Sequence, residues 1–210
     1  MTQKNPTSTD SLIEQMTAGI SPVKVRRPGW GTVFVWTAAL LLIVISVAFS
    51  SAHLRGDFAE VHILAGVAGA LLIAFGASRA GVSLLVPAGA AGLWPFAVMG
   101  TGLAVSVGGL LLSGPHSIGL HPAGFKCAAT LSFYAVLPAL ALAFAARRFA
   151  PTDIGLLGAV IGAGAAAAGY GTLLLICPVS DVAHLAAYHL LPAIGISVGA
   201  SVILAPLLRW

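Results

Sequence analysis

Long apolar runs make up most of the chain, and short basic or turn-forming breaks divide them. The runs are Gly31–Ser51, Phe58–Ser78, Gly89–Leu112, Cys127–Ala146, Ile154–Ile176 and Leu185–Leu208. A helix needs about 20 residues, with a range of ~17–25, to cross the hydrocarbon layer of a bilayer. Each run is long enough. Arg26, Arg27 and Pro28 lead into the first run, and Arg79 closes the second. Gly114-Pro115 follows the third, Arg147-Arg148 the fourth, Cys177-Pro178 the fifth and Arg209 the sixth. The pattern predicts an all-α polytopic bundle of six transmembrane helices over residues 31–210, preceded by a cytoplasmic segment, 1–30. The third run is the least sharply bounded, because residues 80–125 hold no Lys, Arg, Asp or Glu over 46 positions. Two helices there would need about 40 residues plus a turn, and no turn cluster lies in the middle. One span is the expectation.

The first run follows a polar leader and exceeds the ~7–15 residues of a secretory h-region, so it is read as a retained helix. Ser50-Ser51-Ala52 then marks its end rather than a cleavage site. The C-terminal Arg209-Trp210 carries no lipidation box.

Composition agrees with a lipid environment. Apolar residues are 59% of the chain and charged residues 8%, against about 25% charged in an ordinary soluble domain. The net charge of +4 does not point to direct nucleic-acid binding, because the basic residues form no stripe. They sit at the ends of the apolar runs. With six spans, Lys4, Lys24, Arg26, Arg27, Arg79, Arg147, Arg148 and Arg209 share one side, and only Arg55 and Lys126 lie on the other. The positive-inside rule makes the richer side cytoplasmic. Both termini are then inside, in a bacterial inner membrane. An odd number of spans would set Arg147-Arg148 against the basic N-terminus.

Small residues predict how the helices pack. Apolar side chains gain little by leaving lipid for another helix, so close backbone approach has to contribute more. Gly158 and Gly162 form a small-xxx-small pair, with Gly155, Ala159 and Ala163 on an adjacent strip. Gly195 and Gly199 repeat the spacing in the sixth run, so the fifth and sixth helices are expected to touch closely. Pro95, Pro138 and Pro192 lie inside runs and are expected to kink them.

The N-terminal segment holds one helical signal. Thr9, Asp10 or Ser11 can cap a helix, Ser11-x-x-Glu14 fits a capping box, and Leu12, Ile13, Met16 and Ile20 fall on one face. Pro22 is expected to end it. Such a helix is marginal alone and needs a surface for its apolar face. Its own charges are acidic, which favours a protein groove over anionic lipid.

The remaining chemistry lies on the opposite side. There are two cysteines and six histidines, and the expected topology puts all eight outside. Cys127 and Cys177 sit at similar depth, where a disulfide is feasible if the α-carbons come within about 7 Å. Thiolate and imidazole suit soft or borderline metals such as zinc or cadmium. Cys127, Cys177, Asp181 and His184 are the candidate ligands, with His189 deeper, so a transient soft metal ion is the one cofactor-like species considered. A redox role, a metal-responsive role and plain interhelical hydrogen bonding by the histidines all remain open at this level. No catalytic constellation is present, no phosphate loop, and no span carries an evident buried charge of the kind an ion pathway uses. A quinone- or haem-linked thiol oxidoreductase and a metal transporter are the alternatives, and neither accounts for the N-terminal helix.

Thr9-Asp10-Ser11-Leu12-Ile13 with Pro22-Val23, Gly124-Phe125-Lys126-Cys127, and the run Cys177-Pro178, His184, Tyr188-His189-Leu190, Pro192, Gly195 and Gly199 together resemble the NrsF family of six-span membrane anti-sigma factors. The family often shows Trp where Tyr188 stands. The resemblance implies a protein that is not an enzyme, that holds an extracytoplasmic-function sigma factor at the membrane, and that releases it under stress. It implies sensing at Cys127 and Cys177, to which the reading above adds His184 and His189. The face of Leu12, Ile13 and Met16 is then the expected sigma-factor contact.

Overall fold

The computed structural model describes residues 9–18, 31, 36, 60–86, 91–113, 123–149 and 151–209. The described residues are all helix and connecting turns: α1 (Thr9–Thr17), α2 (Val61–Leu84), α3 (Leu93–Leu112), α4 (Ala123–Ala146), α5 (Ile154–Ile176), α6 (Val182–Ile203) and a last short turn, α7 (Ala205–Leu208). A 3-10 turn, Arg147–Phe149, extends α4. Five of these helices are long and apolar enough to cross a membrane, as in a multi-pass membrane protein. The expected first span, 31–51, lies outside the described residues except for Gly31 and Trp36, which are helical.

The glycine and alanine content of α5 explains its position at the centre, with α2, α4 and α6 packed around it. A Cβ at Gly158 would stand 2.7 Å from the Ala200 carbonyl oxygen of α6. At Gly169 it would stand 3.2 Å from the Leu131 carbonyl oxygen of α4, and at Gly171 3.2 Å from Ala70 Cβ of α2. Three neighbours therefore reach the α5 backbone on three sides, and α3 packs on α2 through Gly69, Gly76 and Gly102. The matched pairs run in opposite directions along neighbouring helices, so α2, α4 and α6 point one way and α3 and α5 the other.

This antiparallel register gives the bundle two chemically different ends. Arg79, Arg147, Arg148 and Arg209 gather at the C-terminal ends of α2, α4 and α6–α7. At the other end lie Glu60, His62, Lys126, Cys177, Asp181 and His184. Two buried apolar clusters support the two halves. One contains Leu84, Ala143, Leu157, Val160 and Leu204, with Trp36 packed against Gly81. The other contains Ile63, Leu131, Tyr170, Leu174 and Leu185.

Several boundaries differ from the sequence expectation. Helix α2 starts at Val61 rather than Phe58, and it runs through Arg79 to Leu84. Residues 80–84 are apolar and continue the helix, while the Arg79 guanidinium lies 5.5 Å over the Trp94 ring. Arg79 is therefore a charge inside a helix long and apolar enough to cross a membrane, contrary to expectation, and it lies near that helix's end against an aromatic ring. Helix α3 begins at Leu93 rather than Gly89, α4 begins at Ala123 rather than Cys127, and the last long helix begins at Val182 rather than Leu185.

The prolines also differ in effect. Pro95 is the third residue of α3, in the first turn, where a backbone donor is not needed. Pro138 is interior to α4. Pro192 follows a π-helical segment, Ala186–Leu190. Widening the turn there relieves the clash between the proline ring and the preceding carbonyl.

Gly158 and Gly162 make the expected contact with α6, both against Ala200. Gly195 and Gly199 do not take part in it. Nothing stands within 4 Å of a Cβ placed at Gly195, and both glycines line an apolar groove of about 430 Å³ between α4 and α6.

Candidate thiol and imidazole site

Each member of the site is held by the end of a helix. Cys127 lies in the first turns of α4. Cys177 caps the C-terminus of α5, where its backbone N–H donates to the Leu173 carbonyl at 2.8 Å. Pro178 stops the helix there, since it has no N–H to continue the ladder. Asp181 then starts α6: its Oδ1 accepts from the Ala183 N–H at 3.2 Å. His184 follows within the first turn, and His189 lies in the π-helical segment. In a regular α-helix residues five apart face different directions. The i→i+5 turn of a π-helix brings them roughly into line, so His184 and His189 present their rings to the same space, with centroids 5.2 Å apart.

One ligand atom from each of Cys127, Cys177, His184 and His189 lies within 4.8 Å of all the others. The two thiols are free, with 3.8 Å between their sulfurs, and Cys177 Sγ is 3.5 Å from His184 Nε2. Cys177, His184 and His189 are buried, at 3%, 1% and 0% exposure, and Cys127 is half-buried at the rim.

An aromatic wall closes one side. The Tyr188 ring is tilted against His184 with 5.3 Å between centroids, and Phe125 meets Tyr188 edge-on at 5.6 Å. Gly124 makes this wall possible, because a Cβ there would collide with the Tyr188 ring.

The distances suit a tetrahedral metal. Bonds of about 2.3 Å to sulfur and about 2.05 Å to nitrogen at the tetrahedral angle put two sulfurs ~3.8 Å apart and sulfur and nitrogen ~3.55 Å apart. The observed separations are 3.8 Å and 3.5 Å. Two thiols and two imidazoles supply four donors of the soft-to-borderline class that zinc-like ions prefer.

The candidates divide as follows. Cys127, Cys177, His184 and His189 converge. Asp181 does not join them: its carboxylate is used as a helix cap and lines a neighbouring vestibule with Glu60 and His62. His53, His116 and His121 lie outside the described residues. Leu12, Ile13 and Met16 are exposed on α1, at 55%, 54% and 68%. Helix α1 starts at Thr9, which moves Ser11 from the expected cap into the first turn, and it ends by Ala18 rather than at Pro22. Ile20 and Pro22 lie outside the described residues.

The Tyr188 wall has no signal in the sequence, and His189, expected as a sensing residue deeper than the ligands, stands among them. The five-residue spacing of His184 and His189 fits no α-helical face. The one usable signal was Pro192 just beyond, which forces an irregular turn nearby.

No curated protein and no solved structure matches the chain. A family model described as NrsF, negative regulator of sigma F, matches residues 16–210. The match spans all five long helices and the whole thiol and imidazole site, and its first residue, Met16, leaves Leu12 and Ile13 just outside. The chain therefore belongs to the NrsF family, negative regulators of a sigma factor.

Proposed function

We propose that this protein is a six-span membrane anti-sigma factor with both termini in the cytoplasm, and that a thiol-reactive metal outside the cell membrane triggers release of the sigma factor. A negative regulator of a sigma factor implies a sigma-factor partner, here taken to be of the extracytoplasmic-function class. The single observation that carries the sensing half is the convergence of two thiols and two imidazoles at the bundle end opposite the arginines. The positive-inside rule assigns the arginine end to the cytoplasm, which faces the thiol end outward.

On the cytoplasmic side, the exposed Leu12, Ile13 and Met16 face of α1 contributes to the sigma-binding surface, in the manner of a helix laid in a groove. On the outer side, a soft or borderline divalent ion is held by Cys127, Cys177, His184 and His189. These four residues come from α4, from the end of α5 and from α6. An ion held by all four ties these three helices together at this end and so selects one arrangement of them, and α5 and α6 touch through backbone at Gly158 and Gly162. To switch the sigma factor from largely bound to largely free, the ion must favour the released arrangement by about 5.5 kcal/mol.

Oxidation is the second reading, favoured by the 3.8 Å between the sulfurs. Joining Cys127 and Cys177 as a disulfide releases two protons and two electrons to an external oxidant. Both readings require the thiols. The test is Cys127→Ser/Cys177→Ser, assayed by sigma-dependent transcription. Induction by zinc or cadmium is expected to be lost with basal repression intact. Unchanged induction would remove the cluster from the signalling path.

A further inference from the structure

A second polar space opens at the same end of the bundle as the thiol site. It is a vestibule of about 580 Å³ between the start of α2, the end of α3 and the turn before α6. Glu60, His62, Ser113, Ser180 and Asp181 supply its polar lining. Neither cysteine borders it.

His62 carries the inference. It is buried to 6% exposure, yet its Nε2 takes part in no hydrogen bond. Glu60 Oε2 stands 3.0 Å away as its ion-pair partner, and it too makes no hydrogen bond. An imidazole nitrogen and a carboxylate oxygen buried this close with no hydrogen bond are better satisfied by a third atom that binds both. A metal ion fits that role. With bonds of about 2.05 Å, donors 3.0 Å apart subtend roughly 95° at a metal, an ordinary angle for a zinc-like ion that keeps some of its water. Glu60 is free to serve because, although it is the N-cap residue of α2, its side chain makes no capping bond. Across the vestibule, Asp181 uses Oδ1 as a cap and adds a second carboxylate to the lining. It does not already converge with the pair, since the thiol site is the one preassembled group of three or more such ligands among the described residues. Its contribution is a negative charge, delivered through bound water or by a small closing movement.

We propose that Glu60 and His62, assisted by Asp181, form a second cation site that takes a hydrated divalent ion of the zinc class and is separate from the thiol site. The donor sets differ: imidazole and carboxylate here, thiolate and imidazole there. The vestibule therefore binds borderline ions without needing thiolate. It stands or falls independently of the signalling role proposed for the cysteines.

The experiment is cobalt(II) titration of the full chain in lipid nanodiscs, read by calorimetric stoichiometry and by visible and near-ultraviolet absorption. The wild type is expected to take two equivalents, one of them with a thiolate charge-transfer band. Cys127→Ser/Cys177→Ser should lose that band and keep one equivalent. Glu60→Gln/His62→Gln should keep the band and also hold one equivalent. Asp181→Asn retains the helix cap, since Asn caps as well as Asp, and should weaken only the band-free equivalent. Three results overturn the proposal: no binding to the cysteine double variant, binding to that variant that survives Glu60→Gln/His62→Gln, or two equivalents retained by Glu60→Gln/His62→Gln alone. If the wild type shows a single, band-free equivalent that Glu60→Gln/His62→Gln abolishes, the vestibule stands and the thiol metal site fails.

Discussion

Alanine at Gly158 and alanine at Gly195 should have opposite effects, although the two glycines look alike in the sequence. At 158 the new Cβ would lie 2.7 Å from the Ala200 carbonyl oxygen, 3.2 Å from Ser201 Cα and 3.4 Å from the Ala200 carbonyl carbon. All three are backbone atoms, so no change of rotamer relieves the contact. Restoring ordinary contact at 3.4 Å moves the oxygen away by about 0.7 Å. A gap of 0.5–1 Å forfeits roughly a quarter to a half of the attraction of each atom pair along the opened seam. Overpacking of this kind costs about 1–3 kcal/mol. The helix preference of alanine over glycine returns roughly 0.5–1 kcal/mol. From the middle of both ranges the net expectation is a loss of roughly 1 kcal/mol, or about 5–10-fold in the ratio of folded to unfolded chain. At 195 nothing stands within 4 Å, so only the helix preference acts and stability should hold or rise by up to about 1 kcal/mol. Both variants can be compared with wild type by reversible denaturant titration in one lipid–detergent mixture, followed by near-ultraviolet circular dichroism. A Gly158→Ala chain as stable as wild type, or a Gly195→Ala chain as damaged as Gly158→Ala, would refute the packing described for α5 and α6.

Leu12→Asp/Met16→Asp should weaken capture of the sigma factor by about 30-fold, since half-burying two such side chains is worth ~2 kcal/mol; undiminished co-purification would dismiss this face as the contact. His189→Gln removes a metal donor and should lower cobalt affinity at the thiol site by more than the ~10–100-fold that follows loss of an outer-shell partner. A change under tenfold would leave His189 as a packing residue. Gly124→Ala should displace the Tyr188 ring from beside His184 and alter the cobalt spectrum while leaving far-ultraviolet circular dichroism unchanged. An unaltered spectrum would mean that the aromatic wall does not position His184.

Much of the bundle was legible because a bilayer imposes a length and a polarity on every span. The apolar runs and their basic ends located five of the helices to within a few residues, and Asp153 marks the start of α5 by accepting from the Leu156 N–H at 3.0 Å. Arg79 does not mark the end of α2, because a single charge does not stop a helix whose next residues are apolar. A helix carries an arginine one turn inside its end when the stem reaches an interfacial ring, here Trp94. Gly195 and Gly199 were misread because spacing identifies a smooth face without saying which neighbour lies against it.

The site was legible in part for a similar reason. Topology alone brought Cys127 and Cys177 to one depth, and the resemblance to the NrsF family pointed to the same two residues. The convergence of His184 with His189 depends on a π-helical turn that no periodic pattern encodes. Asp181 lies between Cys177 and His184 in the sequence, but a helix begins there, and its side chain serves the first turn. His62 counts among the six outward histidines, but its pairing with Glu60 two residues away is hidden, because a regular helix does not bring that spacing together.

The central claim is that the state of the Cys127, Cys177, His184 and His189 cluster decides whether the sigma factor is held. The most direct measurement is the amount of sigma factor that sediments with proteoliposomes carrying the full chain, with and without zinc or cadmium on the side of the thiols. Wild type should release the sigma factor as metal is added, at the concentration that fills the cluster, and Cys127→Ser/Cys177→Ser should retain it throughout. Equal release from both chains, or retention by the wild type with the cluster filled, would contradict the account.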